Sequence, residues 1–379
     1  MAFDIGPAEA LVRGALGKVF PAAAVEVAHR GRVVMSGYYG FVDPETGMRP
    51  TREGTLFDMA SVSKLYATTA FMTLVEEGKV RLDDPVRRVL PEFDGLRPIE
   101  GYEDPLDWSG TVRVVPPTSE RVDAGKVTFR DLLCHRSGLP AWRPLFRQGS
   151  AEAARRMALD CFFSYPRGTR VVYSDIGLVL VGLAVERLAG KPLDAAVAER
   201  VCAPLGMGST GYRRISALPP EPEAGIAPTE FCGWRGRRIV GEVHDENAWS
   251  MDGVSGHAGV FATAGDALKL GLMYLAGGGS LLGRETVEEM RRLQSQDGAV
   301  RRGVGFMLWS ADPGSATNPL GELSFGHLGF TGTSLLVDPE RELVAVCLTD
   351  RVYYGRDAGP IGAFRVAFHR AIAEAADRA

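Results

Sequence analysis

Residues 61–72 read Ser-Val-Ser-Lys-Leu-Tyr-Ala-Thr-Thr-Ala-Phe-Met, and this stretch carries the strongest structural signal in the chain. A helical pattern begins at Ser61 and continues to about Glu77. Gly78 is suited to end it, because glycine adopts the left-handed conformation common after a helix. The run after Lys64 is apolar enough to be buried. A lysine one turn into a buried helix costs free energy unless it is paired, so the sequence predicts a partner for Lys64.

Ser61 and Lys64 form an S-x-x-K pattern at the predicted start of this helix. Positions i and i+3 lie on one helix face, so the lysine can reach the serine hydroxyl. Free backbone N–H groups and the positive end of the helix dipole favour an alkoxide there, and a serine needs such help because it is a weak nucleophile at its free pKa. The pattern alone is weak, since an N-cap serine followed by a solvated lysine is the common alternative. Ser63 is a second hydroxyl, but its i+2 spacing places it off that face.

The two ends of the chain carry strand patterns, and the middle carries helix patterns. Residues 22–41 read as a strand pair around a turn, and three more strands are predicted at 304–309, 321–337 and 343–349. Helices are predicted at 128–135, 151–161, 175–189, 193–202, 264–276, 284–294 and 361–377. The predicted fold class is α+β, an α/β sandwich in which an antiparallel sheet from both ends of the chain is flanked by helices.

The helical middle is predicted to be an inserted, mainly helical subdomain. We expect residues 1–60 with 235–379 to form the α/β subdomain and residues 61–234 to form the helical one, the two making a single unit. The segment 94–126 is rich in Pro, Gly and acidic residues, and it is expected to be a long surface loop.

Composition excludes several classes of partner. The chain has 379 residues, and 43 Lys and Arg against 47 Asp and Glu give a formal net charge of −4. A mildly acidic chain lacks the broad basic surface typical of nucleic-acid binding, so no nucleic-acid partner is expected. No apolar run reaches the ~18 residues of a membrane span, so no membrane partner is expected either. The N-terminus lacks a signal-peptide pattern, which predicts a cytoplasmic location if Met1 is the native start.

Cysteines and histidines show no pattern of cross-links or metal binding. The five cysteines are widely spaced and odd in number, which favours small buried hydrophobic residues over a disulfide framework. The six histidines lack metal-ligand spacing, so neither a metal nor an organic cofactor is predicted. Residues 244–246, His-Asp-Glu, would suit a metal, but solvated loop residues are the favoured interpretation. His135 and His257 are interpreted as structural residues of their loops.

Three elements follow one another along the chain, and their order is more specific than any one of them. They are Ser61-Val-Ser-Lys64, Tyr173-Ser174-Asp175, and His327-Leu328-Gly329 with the following Phe330-Thr331-Gly332-Thr333. Segments 80–86, 132–140 and 256–264 support the same comparison. Over nearly its whole length the sequence resembles the serine β-lactamase and penicillin-binding-protein superfamily, and most closely its class C β-lactamase-like branch, which includes esterase-type members.

The resemblance implies a β-lactamase/transpeptidase-like fold and a set of catalytic roles. Ser61 would be the acylated nucleophile, Lys64 its proton-sharing partner, and Tyr173 the residue that helps to deprotonate the serine and to reprotonate the leaving group. The backbone N–H groups of Ser61 and Phe330 would form the oxyanion hole. A nearby ammonium favours a phenolate, so Lys64 and a cationic His327 would both help to ionise Tyr173.

The third element departs from the antibiotic-hydrolysing members, in which it is usually Lys-Thr-Gly. His327 is a cation only part of the time near neutral pH, and Leu328 lacks a hydroxyl that would bind a substrate carboxylate, while Gly329 is kept. Asp175 takes the place usually held by Asn, and a carboxylate there disfavours an anionic substrate and pairs readily with Lys64. These departures favour an uncharged ester or amide, and His327 itself resembles the esterase-type members.

Three aromatic side chains are candidates for an apolar acyl pocket. They are Trp142, Phe146 and Phe330, and ordinary packing is an equally weighted interpretation.

The favoured function is a serine hydrolase that forms an acyl-enzyme on Ser61 and hydrolyses carboxylic esters. A β-lactamase, a D-amino-acid peptidase or an acyltransferase is the alternative within the same chemistry. An alternative of another class is a catalytically silent binding protein on the same fold. The expected partner is a small-molecule ester, amide or β-lactam, and the sequence leaves the oligomeric state open.

Overall fold

The structure is a computed structural model that describes residues 3–104, 106, 110–113, 120–220 and 225–379. The α-helices in these residues are α1 (Gly6–Ala15), α2 (Ser63–Glu76), α3 (Phe129–Leu133), α4 (Ala151–Leu159), α5 (Asp175–Ala189), α6 (Leu193–Val197), α7 (Glu246–Ser250), α8 (Ala264–Leu275), α9 (Arg284–Arg291) and α10 (Gly359–Arg378). The strands are β1 (Ala22–His29), β2 (Arg32–Gly40), β3 (Phe57–Asp58), β4 (Leu96–Pro98), β5 (Tyr102–Glu103), β6 (Thr111–Val112), β7 (Arg121–Asp123), β8 (Gly211–Tyr212), β9 (Phe231–Cys232), β10 (Arg237–Arg238), β11 (Val260–Ala262), β12 (Ser295–Asp297), β13 (Val300–Arg302), β14 (Met307–Leu308), β15 (Phe325–Leu328), β16 (Ser334–Asp338) and β17 (Leu343–Thr349).

One eight-stranded antiparallel sheet organises the molecule, in the order β12-β13-β14-β15-β16-β17-β1-β2. Strand β1, near the N-terminus, pairs with β17, near the C-terminus, and places Val25 opposite Cys347. The sheet is therefore built from both ends of the chain, and helices cover it. This confirms the predicted α+β class with an antiparallel sheet flanked by helices.

Strand β1 is buried on both faces, and its alternating residues belong to two different cores. Ala24 packs in the large cluster that contains α2, α5 and α8. Val25 packs in the second cluster, together with residues of α1 and α10. Because successive strand residues point to opposite faces, this alternation places one helical layer on each side of the sheet.

The helices of the middle segment follow the predicted pattern closely. Helix α5 spans residues 175–189, as predicted, because Ser174 caps its first turn and Gly190 adopts the left-handed conformation after its end. Helix α2 packs against α5, and both contribute to the large core together with the sheet. The division into residues 1–60 with 235–379 and residues 61–234 stays a prediction.

The prediction of a single strand at 321–337 is wrong, because the structure has two strands there. Residues 329–333 form a turn between β15 and β16, and Gly332 has a φ of 116°, which ordinary side chains rarely adopt. Strands β12 and β13 were not expected, since each has three residues and a mostly polar composition. Short polar edge strands lack the alternation on which strand prediction depends.

The expected loop at 94–126 contains regular structure in its described part. Strand β4 pairs with β7, and β5 pairs with β6. Residues 105, 107–109 and 114–119 lie outside the described residues, so the expectation is not addressed for them.

The five cysteines are buried and unpaired, in agreement with their interpretation as small hydrophobic residues. Burial raises the pKa of Cys134 and of Cys161 to about 12, so these thiols stay protonated at neutral pH. Within the described ranges, none of the helices has the length and apolar character needed to cross a membrane.

Candidate active site

The candidate nucleophile, Ser61, lies in a single 3₁₀ turn (Ala60–Val62) that leads directly into α2. Ala60 has a φ of 46°, a left-handed conformation that is uncommon for a residue with a side chain. Its N–H donates to Asp58 Oδ1 at 2.8 Å, which holds this turn in place. Ser63 Oγ accepts a hydrogen bond from the Val260 N–H at 3.0 Å, so the second hydroxyl of the motif has a structural contact away from Ser61.

Lys64 is 1% exposed and has the partner that its burial requires. Its Nζ donates to Ser61 Oγ at 2.9 Å and to the His257 carbonyl at 3.0 Å, and it lies 2.8 Å from Asp175 Oδ1. Burial lowers the pKa of Lys64, but Asp175 and Tyr173 together outweigh burial and leave that pKa above its ordinary value. Lys64 is therefore an ammonium group at neutral pH, held between a serine and a carboxylate.

Tyr173 lies beside Lys64, whose Nζ is 4.8 Å from the centre of the phenol ring. Burial raises the pKa of Tyr173, and this effect exceeds the lowering by the Lys64 charge. The hydroxyl lies close to Lys64 and Ser61, but it makes no well-aligned hydrogen bond. The expected direction of the Lys64 effect is correct, yet burial is larger, so the phenol is protonated in the resting protein.

His135 positions the segment that carries Tyr173. Its Nδ1 accepts the Ser174 N–H at 3.0 Å, and its ring packs against the Tyr173 ring at 4.7 Å between centres. Burial holds the pKa of His135 well below its ordinary value, so the ring is neutral and can accept that hydrogen bond. Ser174 caps helix α5, and the Asp175 carboxylate pairs with Lys64.

The expectation of a partly cationic His327 is wrong. The residue is buried on β15, its ring centre is 5.9 Å from that of Tyr173, and its Nδ1 donates to the Leu328 carbonyl at 2.8 Å. Burial, reinforced by Lys64 and Arg302, holds the pKa of His327 well below its ordinary value. A cation next to two other cations in a buried site is unfavourable, so His327 is neutral at physiological pH.

Leu328 does not reach the candidate site, although it was expected there. It follows His327 along β15, so its side chain points to the other face of the sheet. It packs against the second core cluster, with the side chains of α1 and α10. The physical reason is the two-residue period of a strand, which sends only one of two neighbouring side chains toward Tyr173.

The turn at 329–333 fixes β15 against the nucleophile segment. The Thr331 hydroxyl donates to the Asp58 carbonyl at 2.7 Å, and the Thr333 hydroxyl donates to the Met59 carbonyl at 2.9 Å. A Cβ on Gly329 would lie 2.6 Å from the Met59 carbonyl, so only glycine permits this approach. These contacts bring Phe330 to the opening beside Ser61.

A cavity of about 150 Å³ opens at this point. The residues that line it are Ala60, Ser61, Leu106, Trp142, Tyr173, Asp175, His244, Asp245, Glu246, Ala258, Phe330 and Arg356. Of the three aromatic candidates, Trp142 and Phe330 line the cavity, whereas Phe146 packs behind them against Trp142. Leu106 shows that the 94–126 segment reaches the site.

The three polar residues at 244–246 are not solvated loop residues, and this expectation is wrong. His244 and Glu246 are buried, and both line the cavity with Asp245. The His244 N–H donates to Asp58 Oδ2 at 2.6 Å, and its ring stacks on Phe330 at 5.6 Å. Within the described residues, no group of His, Cys, Asp and Glu side chains has an arrangement that would hold a metal ion.

Sequence reasoning missed the cation in the cavity wall. Arg356 donates to Glu230 at 2.9 and 2.6 Å and to Glu246 at 2.5 Å. Burial raises the pKa of Glu230, but Arg356 and His244 lower it further, to about 2. No motif marks Arg356 or Glu230, and only the fold brings these distant residues together.

His257 has a structural role of the kind expected. Its Nε2 hydrogen-bonds Asp245 Oδ1 at 2.8 Å, and its Nδ1 hydrogen-bonds Ser255 Oγ at 2.8 Å. Ser255 is buried, so this Ser-His-Asp arrangement does not present its hydroxyl to the cavity. It fixes the loop whose carbonyl accepts from Lys64.

Comparisons with known proteins agree with this architecture. The Beta-lactamase family profile matches residues 8–367. An N-acetylmuramyl-L-alanine amidase of Bacillus subtilis (strain 168) is 32% identical across 88% of this chain and 77% of its own length. A putative D-alanyl-D-alanine carboxypeptidase of Escherichia coli (strain K12) is 31% identical across 83% and 73%. The solved structure of EstCE1, a hydrolase with promiscuous acyltransferase activity, has a TM-score of 0.71 at 23% identity and 97% coverage of both chains.

The sheet topology, the family profile and the curated relatives define one class of protein, the serine hydrolases of the β-lactamase and penicillin-binding-protein superfamily. The chain belongs to the Beta-lactamase family. This confirms the resemblance drawn from the three sequence elements.

Proposed function

We propose that this protein hydrolyses uncharged carboxylic esters through an acyl-enzyme on Ser61. The observation that carries the proposal is the 2.9 Å hydrogen bond from Lys64 Nζ to Ser61 Oγ, at the mouth of a cavity that Tyr173 and Phe330 also line. A hydroxyl beside an ammonium and a phenol is placed for nucleophilic attack with proton transfer.

The proposed reaction has two balanced steps. In the form that has lost one proton from the Lys64–Tyr173 pair, Ser61 Oγ attacks the ester carbonyl as its proton passes to that pair, and the ester C–O bond then breaks while the alcohol takes the proton. A water molecule next attacks the acyl-enzyme, loses its proton to the same pair, and releases the carboxylic acid with return of the proton to Ser61. We propose the N–H groups of Ser61 and Phe330 as the oxyanion hole.

The charges of the cavity support an uncharged substrate. Among the described lining residues the cationic side chain is Arg356, and two carboxylates already bind it. Lys64 is paired with Asp175, and His327 is neutral. A substrate carboxylate would meet Asp175, Asp245 and Glu246 in the wall of the cavity, so its desolvation is poorly compensated.

Amide hydrolysis is the second candidate, and the curated relatives favour it. Both are named for amide or peptide cleavage, at 32% and 31% identity. The same Ser61 chemistry cleaves an amide when Tyr173 protonates the leaving amine. A β-lactamase, an acyltransferase and a catalytically silent binding protein are the further outcomes that the experiment separates.

The test compares p-nitrophenyl acetate and butyrate with nitrocefin and a D-alanyl-D-alanine peptide. We expect ester turnover to be the fastest, and a fluorophosphonate probe to add one adduct by intact mass. Ser61→Ala should lose both, whereas Ser63→Ala, which changes the other hydroxyl of the motif, should keep the adduct. Faster turnover of nitrocefin or of the peptide would replace the ester proposal, and a protein with neither adduct nor turnover would be a silent binder.

A further inference from the structure

Arg302 is a cation beside Tyr173 that no sequence motif marks. It lies on β13, opposite Met307 of β14, and Met307 lies opposite Gly326 of β15. The guanidinium carbon is 5.3 Å from the centre of the Tyr173 ring, close to the 4.8 Å of Lys64 Nζ. Strand β13 is two strands away from β15, which carries His327. The sheet therefore places a second positive charge beside the phenol.

The surroundings of Arg302 leave its charge without a compensating carboxylate. Within the described part of the chain no Asp or Glu oxygen lies within ion-pair distance of its guanidinium, and its buried Nε lacks a hydrogen-bond partner. Burial lowers the pKa of Arg302, and Tyr173 is the neighbour that raises it. Arg302 is half-buried, and a partly desolvated cation without a carboxylate is costly, so its cost falls when a neighbouring group becomes an anion.

Four other ionisable groups beside Tyr173 in the described residues have different roles. Lys64 of α2 is committed to Ser61 and Asp175, and Asp175 of α5 opposes ionisation of the phenol. The rings of His135 and His327, which pack against the phenol, are neutral. Arg302 is thus the cation beside Tyr173 that has no carboxylate partner among the described residues.

We propose that Arg302 is a positioning residue that stabilises the phenolate form of Tyr173 during proton transfer, and so supplies the charge that the neutral His327 does not. This inference rests on the proposed function, because it assumes that Tyr173 transfers the serine proton. Arg302 does not itself line the cavity, but its guanidinium lies over Tyr173, which does, so it acts through Tyr173.

The test replaces Arg302 by Met, which keeps length without charge, and by Lys, which keeps charge. Arg301→Met is the matched control, since Arg301 is the preceding residue of β13 and its guanidinium lies over Trp309. We expect Arg302→Met to lower kcat/KM for the ester about tenfold at pH 7 and to leave KM nearly unchanged. The midpoint of the alkaline rise in kcat/KM should move to higher pH by about one unit. Arg302→Lys should recover most of the rate.

A second measurement follows Tyr173 without relying on turnover. Incorporation of 3-fluorotyrosine, whose phenol is more acidic, allows titration by fluorine NMR, with Tyr173→Phe to assign the signal. We expect Tyr173 to ionise at higher pH in Arg302→Met, and near the parent value in Arg302→Lys and Arg301→Met. Arg302→Gln provides a second neutral variant if the Met protein does not fold.

Three results would overturn the inference: an unmoved Tyr173 titration in a folded neutral variant, an equal shift in the Lys variant, or an equal shift in Arg301→Met. Failure of the proposed function gives a different pattern. In that case Tyr173→Phe retains full activity or the parent protein hydrolyses no ester, while the fluorine titration still tests the link between Arg302 and Tyr173.

Discussion

At the scale of single residues, the protons of Lys64 and Tyr173 decide when Ser61 can react in the reaction that we propose. Both groups have a raised pKa, so both carry their protons at neutral pH. The Ser61 proton then has no acceptor until one proton leaves this coupled pair. The reactive form therefore becomes more abundant as pH rises, and kcat/KM for the ester should increase through the alkaline range.

Asp175 sets the position of that pH dependence. Its carboxylate raises the pKa of both Lys64 and Tyr173, because an anion stabilises the ammonium and opposes the phenolate. Asp175→Asn should lower both pKa values and raise activity at pH 7. The midpoint of the rise in kcat/KM should move to lower pH by about one unit. The measurement is kcat/KM against pH, with Asp245→Asn as the control in the same cavity wall. A midpoint that stays at the same pH or moves to higher pH would contradict this account.

At the scale of secondary-structure elements, the turn between β15 and β16 depends on two arginines from the C-terminal region. Arg351 Nε donates to the Phe330 carbonyl at 2.7 Å. Arg365, on α10, donates to the carbonyls of Gly329 and Thr333 at 2.7 and 2.8 Å. Burial lowers the pKa of Arg365 to about 10, which still leaves it charged at pH 7. Helix α10 thereby supports the candidate site from the opposite face of the sheet.

Arg365→Met should weaken this support. Two carbonyls lose a charged donor, and the expected loss of unfolding free energy is about 2–3 kcal/mol. Ester turnover should also fall, because the turn carries Phe330 to the cavity. Urea denaturation and kcat measure the two effects, and Arg370→Met is the control on the exposed side of α10. Equal stability of the two variants would show that the turn holds without Arg365.

At the scale of the whole molecule, one large core joins the sheet to the helical middle. Ala24 and Val346 of the sheet, Leu65 of α2 and Val181 of α5 belong to the same buried cluster. Residues at the ends of the chain and in its middle thus bury their apolar surface together. We propose that the two predicted subdomains form one folding unit.

The expected result is a single unfolding transition of the full chain. In urea, near-UV circular dichroism and loss of ester turnover should have the same midpoint, because neither half keeps an intact core without the other. Hydrogen exchange should protect α5 and β17 to a similar degree. Two separate midpoints, with the helical region lost first, would show that the subdomains unfold independently.

Local sequence patterns determined much of this protein. The helix after Ser61, the full extent of α5 and the strand pair at the N-terminus follow from apolar periodicity and from caps, which depend on neighbouring residues. The i, i+3 spacing of Ser61 and Lys64 likewise needs one helix turn and no distant contact. The order of the three elements was enough to indicate the family.

Only the tertiary structure decided the charges of the site and which side chains reach it. The neutral state of His327, the raised pKa of Tyr173 and the departure of Leu328 to the far face depend on burial and on strand direction. Arg302 and Arg356 reach the site from segments with no recognisable motif. The physical reason is that desolvation and Coulomb interactions depend on distance in space, which the order of residues along the chain does not express.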